Sequence, residues 1–184
     1  MSKKVTIFTL LPLIFSMLVF IGSESLYSVI FVLITILPYF CFNIYLDITK
    51  KSIQSRRVRG LSAYIGLIIM SLYSLYPAII KISPLMTSLI FLIVGLGAFK
   101  YRELIAEILF SGKKRYTKYR AIYWIYAAIL LLLGGGGYYP TTKNVIEKLG
   151  ENSDVYFSTI FFLFSLWFLV FAQGSIPKFT KFKE

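Results

Sequence analysis

Six long stretches of this chain contain no Asp, Glu, Lys or Arg, and this feature constrains the fold more than any other. A membrane-spanning helix needs about 20 mostly apolar residues, because the hydrocarbon core offers no water to the backbone. The six stretches are close to that length, and they cover residues 5–22, 26–46, 61–80, 83–99, 121–139 and 155–172. The sequence therefore predicts an all-α, polytopic integral membrane protein with six transmembrane helices.

The basic residues lie in alternate connections between these predicted spans. Of the 20 Lys and Arg residues, 17 lie at the two termini and in the connections after the second and fourth spans. The other three are Lys81, Lys143 and Lys148. Because basic residues concentrate on the cytoplasmic side of a membrane, this pattern predicts that the N-terminus and the C-terminus are both cytoplasmic. Short connections with such a charge bias are typical of a bacterial inner membrane, where we expect the protein to reside.

The connections between the spans are too short to bury a second hydrophobic core, so residues 1–184 are expected to form a single membrane domain. Residues 100–112 have the pattern of an amphipathic cytoplasmic segment that extends the fourth span as a helix. Its apolar side chains share one face and its two glutamates share the opposite face: Leu104, Ile105, Ile108 and Leu109 against Glu103 and Glu107.

Several classes of enzyme lack the residues that they need. The chain has no His and a single Cys, Cys41, which removes Ser-His hydrolases, His-ligated zinc and an intramolecular disulfide. The only two aspartates, Asp47 and Asp154, are predicted on opposite sides of the membrane, so they cannot form a catalytic dyad. We expect a protein that is not an enzyme, with no cofactor and no metal site.

A polar stripe runs along the second predicted span. Thr35, Tyr39, Asn43 and Asp47 recur at every fourth position and therefore share one face of a helix. Polar groups are costly against lipid, so this face should look into the bundle or into a wet cavity. The stripe is a candidate ligand-binding site, and the alternative is that it supplies hydrogen bonds between helices.

A run of four glycines occupies the outer part of the fifth predicted span. In a helix, each glycine is less stable than alanine by about 1 kcal/mol of helix free energy. This cost applies to Gly134, Gly135, Gly136 and Gly137. Either a neighbouring helix packs closely there, or the helix unwinds and offers its backbone to a ligand. These four glycines are the second candidate ligand-binding element.

Three consecutive basic residues, Lys113, Lys114 and Arg115, follow the amphipathic segment. They are candidate contacts for anionic lipid headgroups, with topology enforcement alone as the alternative. Nucleic acid is not expected as a partner, because the basic residues lie within a few positions of the span ends and the membrane already accounts for them.

These patterns favour a function that consists of binding. One hypothesis is a partner that binds another protein within the bilayer, either as an accessory subunit or as an immunity-type protein against a pore-forming toxin. The alternative is a small-solute transporter or channel subunit that uses the polar stripe and the glycine run.

Overall fold

The computed structural model describes residues 26–49, 56–133 and 139–180, together with Pro12. Within these ranges the regular structure is helical and no strand occurs, which confirms the all-α class. Short 3₁₀ turns precede the fifth and the last helix. The α-helices are α1 Leu26–Ile48, α2 Arg56–Lys81, α3 Pro84–Lys100, α4 Arg102–Phe110, α5 Thr117–Leu133, α6 Tyr139–Leu149 and α7 Ser153–Thr180.

Three of the described helices, α1, α2 and α7, are long and apolar enough to cross a membrane. The bent pair formed by α3 and α4 would make a fourth crossing. These apolar helices indicate a membrane-embedded protein. Helix α5 has 17 residues, and the predicted continuation of its span falls partly on 134–138, outside the described ranges. The predicted first span, 5–22, also lies outside them apart from Pro12.

Helix α7 occupies the centre of the described bundle, and α2, α3, α4 and α5 all pack against it. The contact with α2 uses small residues at seven-residue intervals on both helices. Ser158, Ser165 and Ala172 of α7 are buried, as are Ser71 and Ala78 of α2. Small side chains let two backbones approach closely, and an interval of seven residues keeps them on one seam. We call these five residues the α2–α7 seam.

The hydrogen bonds across the seam show that α2 and α7 are antiparallel. Lys81 pairs with Asp154 at 2.7 Å at one end. The Ser71 hydroxyl donates to the Ser165 carbonyl at 2.7 Å near the middle. At the other end, the Gln173 amide donates to the Tyr64 hydroxyl at 3.3 Å.

Helix α5 is also antiparallel to α7. The Tyr123 hydroxyl donates to the Trp167 carbonyl at 3.1 Å, and the Tyr156 hydroxyl donates to the Leu133 carbonyl at 2.9 Å. The described bundle therefore has two ends. The basic end contains the start of α2, the α3–α4 junction, the start of α5 and the end of α7. The Lys81 end contains the opposite ends of α2, α3, α5 and α7.

The α3–α4 junction bends by 77°, where the sequence predicts only that the span continues as an amphipathic helical segment. The bend is centred on Tyr101, between the two helices. It allows the apolar face of α4 to fold back against α7, where Ile105 lies over Gly174 and the Phe110 ring stacks edge-on at 5.4 Å from Phe171. A straight continuation of α3 would leave the apolar face of α4 in water, and this is the physical reason for the bend.

Gly174 of α7 allows α4 to approach, and Gly174→Ala should therefore destabilise the fold. A Cβ atom there would lie 2.6 Å from Cγ2 of Ile105, so α4 must shift. We expect a loss of about 1–3 kcal/mol in the free energy of unfolding, as for other overpacked cores. The matched control is Gly97→Ala, since a Cβ at Gly97 meets nothing within 4 Å. Thermal unfolding in detergent should give a lower midpoint for Gly174→Ala alone, and equal midpoints would contradict the close contact.

Candidate functional site

The polar stripe of α1 faces α2, and its side chains bond to that helix. The Thr35 hydroxyl lies 2.6 Å from the Tyr73 hydroxyl. The Tyr39 hydroxyl donates to the Ser62 carbonyl at 3.3 Å. The Ser62 hydroxyl in turn donates to the Asn43 side-chain oxygen, and the Asn43 amide nitrogen donates to the Tyr39 carbonyl at 2.8 Å. The structure thus brings three of the four predicted residues into one contact between helices.

Burial and close approach accompany these bonds. Tyr39, Asn43 and Ser62 are 4%, 2% and 6% exposed, so water does not reach them in this arrangement. Tyr39 crosses α2 at Gly66, where a Cβ atom would lie 2.6 Å from the tyrosine hydroxyl. The fourth predicted residue, Asp47, belongs to α1, but its side chain is outside the described part of the structure. Chemically, the described part of the stripe holds α1 and α2 together.

The glycine run lies outside the described residues. The description of α5 ends at Leu133, and residues 134–138 are not included. The prediction of a ligand-binding element at Gly134, Gly135, Gly136 and Gly137 therefore stays a prediction.

Two of the three consecutive basic residues pair with one carboxylate on α4. Lys113 bonds to Oε1 of Glu107 at 2.8 Å, and Arg115 bonds to Oε2 at 3.2 Å. The Tyr116 hydroxyl donates to the same Oε2 at 3.1 Å. Hydrogen bonds from Lys113 and then Tyr116 lower the pKa of Glu107 from 4.5 to about 2. Among the described residues, Lys114 makes no ion pair, so one carboxylate offsets two of the three predicted lipid contacts.

A groove that the sequence patterns do not predict runs between α2, α3 and α7. It is open to the surface and has a volume of about 490 Å³, and its walls are formed mainly by apolar side chains of α2 and α3, with Gln173 of α7. Gln173 is 7% exposed, and its Oε1 has no hydrogen-bond partner among the described residues. The available sequence signal is weak: Gln173 is a polar amide one position after the last predicted span.

Within the described ranges, no group of three or more Cys, Asp or Glu side chains lies close enough together to hold a metal ion. Comparison with protein-family models, with curated proteins and with solved structures finds no match to this chain.

The Asn43–Ser62 contact should be visible as an energetic coupling. We expect a double-mutant cycle of Asn43→Ala and Ser62→Ala to give a coupling of at least about 0.6 kcal/mol, the average for hydrogen bonds between membrane helices, and at most about 1.7 kcal/mol. The matched control pairs Asn43→Ala with Ser71→Ala, because Ser71 bonds to α7 and does not face α1. Unfolding free energies in mixed micelles give both couplings. A value near zero for the first pair would contradict the contact.

The Glu107 cluster predicts a pH dependence at the acidic side. A carboxyl whose pKa is lower in the folded state contributes stability above its unfolded value, and that contribution is lost as pH falls through the folded value. The stability difference between the wild type and Glu107→Gln should therefore be full above about pH 5 and should shrink between pH 4.5 and pH 2. Thermal unfolding midpoints across this range measure it. Glu151→Gln is the control, because Glu151 makes no ion pair with any described residue. A difference that does not change with pH would contradict the cluster.

Proposed function

We propose that this chain is a six-span protein of a bacterial inner membrane, with both termini in the cytoplasm. The distribution of charge over the described helices supports this threading. Lys81 is the last residue of α2 and gives the Lys81 end its name. Lys143 and Lys148 lie on α6, and α6 leads into the start of α7 at the same end. The other basic residues of the described ranges lie on the segments that meet at the basic end. The rule that basic residues stay cytoplasmic places the basic end inside the cell.

We further propose that the protein acts by binding another membrane protein within the bilayer, as an accessory subunit or as an immunity-type protein against a pore-forming toxin. The observation that carries this proposal is the pairing within the polar stripe. Thr35, Tyr39 and Asn43 bond to Tyr73, to Ser62 and to their own helix. In the described part of the stripe the polar groups are used between helices and offer a solute no polar path, whereas outer faces of the described helices expose apolar side chains to a partner.

The outer face of α1 is the surface that we assign to this partner. Among the described elements, α1 packs mainly against α2. Its opposite side exposes Ile34, Leu37 and Ile48 by 68%, 53% and 76%. An uncharged apolar face of this kind suits a transmembrane helix of another protein, which packs by shape and van der Waals contact.

A solute transporter or channel subunit is the second candidate. The observation that favours it is a pair of buried hydroxyls near the α2–α7 seam. Within the described ranges, Ser74 Oγ and Ser165 Oγ have no hydrogen-bond partner. Such groups could line a polar path if α2 and α7 moved apart.

Cysteine labelling separates the two candidates. Cysteines are placed one at a time at positions 35, 39 and 43 in a Cys41→Ser background and treated with a polar thiol reagent in native membranes. Because Tyr39 and Asn43 are buried against α2, we expect none of the three to react. The exposed position Lys118→Cys is the positive control. Reaction at the three stripe positions at the rate of the control would contradict the partner model and support the transporter.

Crosslinking tests the partner directly. A photoreactive residue at Ile34 or Leu37 should form adducts of one defined mass with a second membrane protein. The same residue at Ile122, an exposed apolar position on α5, is the control for contact with lipid alone. Equal adduct patterns at all three positions would contradict a docking face on α1.

A further inference from the structure

The groove between α2, α3 and α7 has the length of one lipid leaflet. Its lining extends along α3 from Ser88 to Phe99, which are 11 residues apart. At 1.5 Å per residue this distance is about 16 Å. Half of a hydrocarbon core of about 30 Å is about 15 Å. The groove walls are formed mainly by Leu and Phe side chains and by the backbone at Gly95, so one extended acyl chain would find apolar contacts along most of its length.

Two cations stand where the groove reaches the basic end. Phe99 lines the groove, and the Arg102 guanidinium lies 4.7 Å from the centre of its ring. Lys100 is the last residue of α3 and lies 5.7 Å from the ring centre of Tyr101. Neither cation pairs with a carboxylate of the described residues. Helix α4 also begins here without a side-chain cap, although Glu103 in its first turn offsets part of the positive potential.

Gln173 adds a polar group to the same groove. It is 7% exposed, and its Oε1 has no donor among the described residues. Its amide nitrogen is already bonded to the Tyr64 hydroxyl at 3.3 Å. An unpaired buried carbonyl oxygen costs free energy, so an occupant that presents a hydrogen-bond donor at this position would be favoured.

We propose that this groove is a binding site for one anionic phospholipid. One acyl chain lies along α3 between α2 and α7, and the phosphate contacts Lys100 and Arg102 at the bend between α3 and α4. Glycerol headgroup hydroxyls, as in phosphatidylglycerol, supply the donor for Gln173. This inference needs the membrane location, and it does not depend on whether the protein binds a partner or transports a solute.

The contrast with Lys113 and Arg115 makes the assignment specific. Those two residues already share the carboxylate of Glu107, and neither lines the groove. Among the residues that the structure describes, Lys100 and Arg102 have no such carboxylate partner, and they stand beside a groove that fits a lipid tail. The paired and unpaired cations therefore make matched sets for an experiment.

The test is native mass spectrometry of the full chain in detergent, titrated with phosphatidylglycerol or with phosphatidylcholine of the same acyl chains. We expect one retained phosphatidylglycerol per protein and at least tenfold weaker binding of phosphatidylcholine. The double variant Lys100→Gln/Arg102→Gln should weaken phosphatidylglycerol binding by about 30-fold, the effect of two basic residues near an anionic surface. The matched variant Lys113→Gln/Arg115→Gln should change it by less than about threefold.

A second variant tests the groove itself. Leu96 lines the groove and is 62% exposed, so Leu96→Trp should fill the space without disturbing the packed core. We expect it to weaken both lipids by about tenfold, through loss of apolar contact. Excess inorganic phosphate should not displace the bound lipid if the acyl chain is held. Circular dichroism spectra and unfolding midpoints equal to those of the wild type show that the variants are folded. If Lys100→Gln/Arg102→Gln is not folded, the single variant Arg102→Gln replaces it.

Four results would each overturn the site. Equal loss of phosphatidylglycerol from both double variants would show general charge attraction. Unchanged binding by Lys100→Gln/Arg102→Gln would remove the headgroup contact. Unchanged binding by Leu96→Trp, or displacement by phosphate alone, would remove the acyl chain from the groove.

Discussion

Moving an apolar side chain from lipid into a protein interior gives no hydrophobic free energy. Helices in a bilayer therefore associate through close van der Waals packing and hydrogen bonds. The α2–α7 seam meets this constraint. Ser71 and Ala78 oppose a row of small residues on α7, and the Ser71 hydroxyl bonds to the Ser165 carbonyl across it. Because α3, α4 and α5 also pack against α7, the seam determines where these three helices lie relative to α2.

The seam also sets where polar chemistry can occur. With α2 fixed against α7, the opposite face of α2 presents Ser62, Gly66 and Tyr73 to α1. The hydroxyls on that face pair with Thr35 and with the Asn43 amide of α1, which leaves little polar surface between the two helices. The groove beside α3 is different, because no donor from the described part of the chain reaches Gln173 Oε1 there.

The sequence predicts the helical class well, and the reason is physical. A lipid environment requires long uncharged helices. Helices α1, α2 and α7 correspond to three predicted spans, and most of their helix boundaries lie within a few residues of the predicted ones. The polar face of α1 is also predictable from its four-residue spacing, although its partners on α2 are not. The bend at Tyr101 depends on Gly174, which is distant in sequence and compact enough to admit Ile105. The groove at Gln173 is likewise formed by residues of three separate helices, so no local sequence pattern predicts it.

We propose that lipid surrounds this bundle and that its basic end faces the cytoplasm. The most direct measurement is labelling of intact cells with a membrane-impermeant thiol reagent, in a Cys41→Ser background. Lys148→Cys reports the Lys81 end, and Lys114→Cys reports the basic end. The account predicts that Lys148→Cys reacts in intact cells and that Lys114→Cys reacts only after the membrane is permeabilised. Reaction of both positions in intact cells, or of Lys114→Cys alone, would contradict it.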